Sequence, residues 1–297
     1  MMTNTMALSK SDNEKEQKRL DILAAEIRIA ALKGLESVGA GHVGGVMSMC
    51  DLMAVLYGSE MKVDPNNPEW EGRDWLVVSK GHCGPAVYAA LACKGYFPKE
   101  DMLTLNKPGT KLPSHCDRLK TPGIDMTTGS LGQGMSTAIG VAWGHRRLNK
   151  DNYTYLVLGD GESQEGQVWE GALFAAQQKL SNLIAFVDYN KKQLDGYISD
   201  ICDLGDYGQK FRDFGWLALD CDGHDVLAIQ AAIRFAKRNK EKPTMIVLHT
   251  EKGKGCSFAE GIFYNHHIAV SAQDSKAAIQ RLESEIKRLQ KGGRNKA

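Results

Sequence analysis

The chain has no CxxC pair and no cysteine–histidine spacing of the kind that holds zinc, although seven of its 297 residues are cysteine. No apolar run approaches the roughly 18 residues of a membrane span. Net charge is also scarce: 37 basic against 36 acidic residues leave +1. That excludes a bulk field for nucleic acid or an anionic membrane. The one basic cluster, Lys291 to Lys296, reads as a solvated tail. No secretory leader is visible and the thiol count is odd, which predicts a reducing cytoplasm. Repeats, linkers and low-complexity blocks are missing too, so a single domain is the simplest division.

What is present is a pair of short apolar runs, at 154–159 and 183–187. Asp160 closes the first and Asn190 follows the second, thirty positions later. Between them Trp169, Leu173, Ala176 and Leu180 recur at helical spacing. Strand, helix and strand of this length predict a βαβ unit, with both polar residues at the carboxyl edge of a parallel sheet. Ligands of open α/β sheets bind there. A carboxylate and an amide oxygen suit a hard cation such as Mg²⁺. They also suit plain turns and helix caps. The glycines beside Asp160 would let phosphate oxygens approach, which points to a Mg²⁺-diphosphate site.

Around this unit, Leu20, Leu23, Ile27, Ala31 and Leu35 predict an amphipathic helix, behind a polar segment, 1–19, read as flexible. A glycine-rich loop at 39–45 carries His42, and a helix is expected over 49–57. A strand at 75–78 runs into Ser79-Lys80-Gly81-His82. The irregular loop 107–123 holds His115, and Gly129 to Gly134 opens a helix to about 148. The stretch 200–214 reads as loop, followed by strands at 217–220 and 245–248 around a helix through Ile229 and Ile233. Residues 272–290 predict a last helix lying on the domain's flank. Strands alternating with helices predict an α/β, doubly wound, mostly parallel sheet with helices on both faces.

Neither glycine loop is a dinucleotide fingerprint: the first follows a helix and the second reads G-x-x-G-x-G. Three histidines, His42, His82 and His115, sit in loops where no core packing calls for them. Without metal spacing, they suggest polar contacts and proton transfer with a hydroxylated substrate. His145 reads as surface, His249 as a buried strand-end residue, and His224 as part of a turn and helix cap. Lys80 and Lys252 each stand near a strand's carboxyl end before glycine, as point charges for phosphate or as solvated lysines.

The motifs, taken together, resemble transketolase. They are Gly41-His42, Ser79-Lys80-Gly81-His82, Pro113-Ser114-His115, Thr128 to Gly134, Gly159-Asp160-Gly161 with Asn190, Lys252 to Gly255, and His266. They fall in family order over roughly residues 20–270, and resemble only the first, diphosphate-binding domain. The resemblance therefore implies the N-terminal subunit of a split transketolase, inactive alone. A partner would bring the pyrimidine-binding and C-terminal domains and the catalytic glutamate, in an α2β2 assembly. The implied division is 20–270 as thiamine diphosphate/Mg-binding domain and 271–297 as helix and basic tail.

Carried over by residue, the resemblance gives metal ligands Asp160, Asn190 and the main-chain carbonyl of Lys192, for Mg²⁺ or for Ca²⁺ or Mn²⁺. It places His42, His82, His115 and His266 at the reacting end, and Glu165 at a subunit contact linking two active sites. Lys80, Gly129, Ser130, Leu131, Gly132, Gly161, Glu162 and Lys252 would touch thiamine diphosphate, with Asn190 and His266. The implied reaction moves a two-carbon ketol unit between sugar phosphates. Val43, Lys192 and Asn265-His266-His267 depart from the family pattern, and His267 competes with His266 for the cofactor-site position. The alternatives are a chain of a deoxyxylulose phosphate synthase-like or 2-oxo acid dehydrogenase enzyme, or a non-catalytic regulatory subunit.

Overall fold

The computed structural model describes residues 10–194 and 196–292. The segment 1–9 and the tail beyond 292 lie outside the described residues. Helix α1, Lys10–Val38, includes residues 10–19, which their polarity had marked as flexible. Distant partners hold these turns: Lys18 Nζ donates to the Gln290 carbonyl at 2.9 Å, and Gln230 Nε2 to Glu16 at 3.1 Å. A polar stretch is thus the outward side of a docked helix.

A two-residue strand β1 (Ala40–Gly41) leads into helix α2 (Val43–Ser48). A break at Met49 separates it from α3 (Cys50–Val55), where one helix over 49–57 was expected. Burial of Val43, Val46 and Met47 outweighs the weak helix propensity of the glycines. Strand β2 (Trp75–Val78) and helix α4 (Gly84–Lys94) follow, then α5 (Gln133–Arg147). The expected central unit is β3 (Thr154–Gly159), α6 (Gly166–Gln177) and β4 (Leu183–Tyr189). A hairpin of β5 (Lys192–Gln193) and β6 (Gly196–Tyr197) precedes short helices α7 (Ile198–Ile201) and α8 (Tyr207–Asp213). Both helices fall within or beside the stretch expected as loop. Asp206 caps α8 by accepting the Gln209 N–H, and buried Phe211 packs against Trp216.

The chain then forms β7 (Leu217–Asp222), α9 (Val226–Arg238), β8 (Thr244–His249), β9 (Ile268–Ala269) and α10 (Ala272–Gln290). Five strands make one parallel sheet in the order β2-β3-β4-β8-β7. Strands β3, β4 and β8 are buried almost throughout, as their Val, Ile, Leu and Phe content predicts for the middle of a parallel sheet. Alternate residues feed two cores. Tyr155, Val157, Ile184 and Phe186 join the core with α1, α3, α4 and α9, and Leu156, Leu158, Ala185 and Val187 join the one with α5, α6 and α8. Each such large aliphatic side chain contributes about 1.5–3 kcal/mol. Helix α10 shares the first core through Ala278 and Leu282.

Separately, β1 pairs antiparallel with β9, setting Gly41 opposite Ile268. That pairing brings the loop of His42 beside that of His266 and His267.

Candidate active site

The register of β3 with β4 sets Gly159 opposite Asp188, so Asp160 and Asn190 leave the sheet side by side. Asp160 is 2% exposed. Its Oδ1 accepts the Gly161 N–H at 2.9 Å and its Oδ2 the Lys191 N–H at 2.6 Å. Lys191 adopts φ 66°, a left-handed conformation unusual for a side-chain-bearing residue. Asn190 accepts the Lys192 N–H on Oδ1 at 3.2 Å. The Lys192 ammonium donates to the Ile262 carbonyl at 3.0 Å, so only that residue's backbone is left to serve the edge.

Asp188, which sequence reasoning passed over, is the hub beneath this edge. It accepts from Lys80 Nζ, from Ser48 Oγ at 2.6 Å, from Thr250 Oγ1 at 2.5 Å and from Asn190 Nδ2 at 3.3 Å. Burial pushes its carboxyl up, but the ammonium and hydroxyls more than offset that and hold it below the usual range. The signal for it was one acid inside an otherwise apolar strand. Lys80, read as a charge for phosphate, is buried and paired with Asp188.

Glu162 is also buried, and both it and Lys80 border the same cavity as Asp160. Glu162 receives the Ser79 hydroxyl, the Gly132 N–H at 2.9 Å and the Gly159 N–H at 3.0 Å. It therefore ties three loops together. Gly132 adopts φ +82° at the start of α5, a turn that favours glycine. Ser130 is exposed on the same turn, while Gly129 and Leu131 reach the cavity wall. Glu165 stands exposed at the N-cap of α6, on the cavity's rim.

Four elements deliver imidazoles to one place. The His42 ring centroid lies 5.0 Å from His82, 6.0 Å from His115, 5.1 Å from His266 and 4.7 Å from His267. His266 is half-buried and lines the cavity, whereas His267 is exposed. Burial, then nearby positive charge, depresses His42 to about 4 and His82 to about 2. Burial lowers His115 as well. The rings of His42 and His82 are neutral at physiological pH. The remaining histidines differ from expectation. His145 is buried against Trp75 rather than on the surface, because α5 packs on β2 there. His249 is exposed, with Nε2 3.0 Å from Asp220. His224 does lie in the expected turn, but Asp225 is the residue that caps α9.

Lys252 is buried, and its Nζ donates to the Leu194 carbonyl at 2.7 Å. Together these groups enclose a cavity of about 370 Å³, which also touches Asp160, Gly161, Asn190 and Lys192. Leu194, another residue missed in the sequence, joins Leu131 as an apolar wall. Among the described residues no three His, Cys, Asp or Glu side chains converge on a metal position. Any cation must complete its shell with amide, backbone and ligand oxygens, which is how Mg²⁺ is held beside phosphates. The Asp160 carboxyl, raised to about 7 by burial and then by Asp188, fits that role: its contacts are backbone N–H groups, and a cation would relieve it.

An oxygen edge for a cation, set across one cavity from neutral imidazoles, suits a diphosphate cofactor and a hydroxylated substrate. The comparisons agree. The family model described as transketolase, thiamine diphosphate binding domain, matches residues 20–288. The chain belongs to the transketolase family and carries its thiamine diphosphate-binding domain. It is 52% identical to SqwG, the 6-deoxy-6-sulfo-D-fructose transketolase subunit of Clostridium sp. (strain MSTE9), over 87% of this chain and 94% of that one. It is 35% identical to an apulose-4-phosphate transketolase subunit of Phocaeicola vulgatus, over 86% and 91%. A solved Pichia stipitis transketolase in complex with sedoheptulose-7-phosphate superposes with TM-score 0.82 at 28% identity, over 92% of this chain. This chain spans 45% of that one.

Proposed function

We propose that this chain is the thiamine diphosphate-binding subunit of a two-subunit transketolase. One observation carries the reading: Asp160 and Asn190 share a cavity with His42, His82, His115 and His266. The match to subunit-sized relatives supports the split. A partner chain would supply the pyrimidine-binding half, and exposed Glu165 would meet a second copy in an α2β2 assembly. Residues 20–270 would form the binding unit, flanked by the last helix.

Asp160, Asn190 and the Lys192 carbonyl would hold Mg²⁺, with Lys252 next to the diphosphate. Leu131 and Leu194 offer apolar surface to the cofactor's ring. The bound cofactor supplies a nucleophilic carbon that accepts the ketol unit. The chain's own part is placement and protons. The imidazoles hydrogen-bond the ketose hydroxyls and the oxygens that gain charge as the C2–C3 bond breaks. Losing one such donor typically costs about 2.7–4 kcal/mol.

The name of the relative at 52% identity supports a ketose with a terminal anion, sulfonate or phosphate, as donor. Cleavage of a six-carbon sulfo-ketose leaves a four-carbon aldose that keeps the sulfonate, and the ketol unit passes to an aldose phosphate. Unpaired cysteines support a cytoplasmic setting, and no described helix is long and apolar enough to cross a membrane. The test is the purified pair of subunits with thiamine diphosphate and Mg²⁺, assayed with 6-deoxy-6-sulfo-D-fructose, fructose 6-phosphate and pyruvate as donors. Turnover of pyruvate alone would overturn the reading in favour of a synthase-like enzyme.

A further inference from the structure

Three buried or half-buried polar side chains, Arg28, Asp51 and His224, touch neither the cavity nor the cation edge. Arg28 on α1 meets Asp51 on α3 twice, Nη1 to Oδ1 at 3.0 Å and Nη2 to Oδ2 at 2.5 Å. His224 lies in the turn between β7 and α9. Its Nδ1 is 2.7 Å from Asp51 Oδ2, and its Nε2 accepts the Glu251 N–H at 2.8 Å. Because Nε2 accepts, the ring proton belongs on Nδ1, facing Asp51. Burial pushes Asp51 up, but Arg28 and His224 bring it down to about 2, so it stays charged.

The far end of the same loop is held by the same group. Arg28 Nε donates to the Lys254 carbonyl at 3.0 Å. Gly255, at φ +80°, lies so close that a Cβ there would come within 2.9 Å of Arg28 Cδ. Between the two anchors, the loop makes the cavity's cross-links. Lys252 Nζ reaches the Leu194 carbonyl at 2.7 Å, and the Gly253 N–H reaches the Gly44 carbonyl at 3.0 Å. Asn265 Nδ2 donates to the Lys252 carbonyl at 2.8 Å. One short loop therefore joins the segments that carry His42, Leu194 and His266.

We propose that Arg28, Asp51 and His224 are positioning residues: they clamp loop 251–255 at both ends and so set Lys252 and the histidine segments for the cofactor. A buried ion pair is weak evidence of stabilisation, since apolar residues of the same volume often serve as well. What apolar residues could not do is pair with one backbone N–H and one carbonyl at fixed places, and buried backbone groups need such partners. The inference rests on the cavity being the thiamine diphosphate site.

Two substitutions separate the clamp from general stability. His224→Asn places an amide N–H near Nδ1 and keeps a donor for Asp51, but is too short to accept from Glu251. His224→Gln reaches the Nε2 position. The first measurement is amide hydrogen exchange on the full chain without cofactor. Faster exchange confined to 251–255 in His224→Asn, restored in His224→Gln, is expected. The second is thiamine diphosphate affinity of the two-subunit complex. His224→Asn should raise Kd about tenfold, the scale of one buried hydrogen bond. Combined with Lys252→Met, it should add little further, because coupled residues are not additive. Unchanged exchange at 251–255, or full additivity with Lys252→Met, overturns the clamp. Native complex that binds no thiamine diphosphate overturns the site reading instead, and the exchange result still decides the clamp.

Discussion

Asp188 Oδ2 accepts the Asn190 Nδ2 at 3.3 Å, and this contact decides which way the asparagine amide faces. With nitrogen turned to the acid, the oxygen accepts the Lys192 N–H and keeps a second lone pair for the cation edge. The same carboxylate also neutralises buried Lys80. Asp188→Asn should therefore do two kinds of harm. It would release the Asn190 amide to flip, and leave an ammonium buried without a counter-charge, at a cost of about 3–5 kcal/mol. Urea denaturation of the cofactor-free chain measures this. Changing both partners, Lys80→Met with Asp188→Leu, should recover much of the loss, and a double variant as unstable as the single one would argue against the pairing.

Asp160→Ala should remove the carboxylate proposed to anchor the cation. Thiamine diphosphate affinity of the two-subunit complex, followed by calorimetry in Mg²⁺, is expected to fall by about a hundredfold or more. Supplying Ca²⁺ or Mn²⁺ should not restore it. An affinity within a few-fold of native would place the cation elsewhere.

The chain purified alone should show no ketol transfer, and titration with its partner should bring activity up to a plateau at equal stoichiometry. Activity of the rigorously purified single chain is the contrary outcome.

The pH dependence of His82 has a definite sign. Its folded-state value near 2 lies below its ordinary 6.5, so the unfolded chain takes up the proton first. The stabilising share of the neutral ring is full above about pH 6.5 and shrinks as pH falls from there towards 2. Compared with His82→Gln, the native chain should lose ground between pH 7 and pH 5 in denaturation midpoints. A constant difference across that range would mean that the ring is not desolvated as described.

Much of this architecture is written locally. The strands at 154–159 and 183–189 announce themselves because a parallel centre needs unbroken apolar runs, and Asp160 and Asn190 mark their ends. The loop histidines were legible because such side chains have no packing purpose there, although Gly44 and Gly45 of the expected loop lie buried in α2. What escaped depends on partners far along the chain. Asp188 looks like one polar residue in a strand until Ser48, Lys80 and Thr250 arrive around it. Residues 10–19 look frayed until Gln290 and Gln230 come to meet them. His145 looks exposed beside two arginines, yet the helix turns it onto Trp75. Helix α8 was obscured by the glycines and aspartates around it, and is fixed by Phe211 beneath the sheet edge. Its sequence carries too little apolar periodicity for that to be read in isolation.

The ring of imidazoles around His42 has one further consequence. A neutral imidazole carries an N–H at one nitrogen and a lone pair at the other, so it can take a proton at one ring nitrogen while releasing another from the second. His42 and His82, whose rings are both neutral, have centroids only 5.0 Å apart, so two such rings serve the same end of the cavity. A ketose hydroxyl held by either ring would give up one proton and be offered another with no net charge left behind.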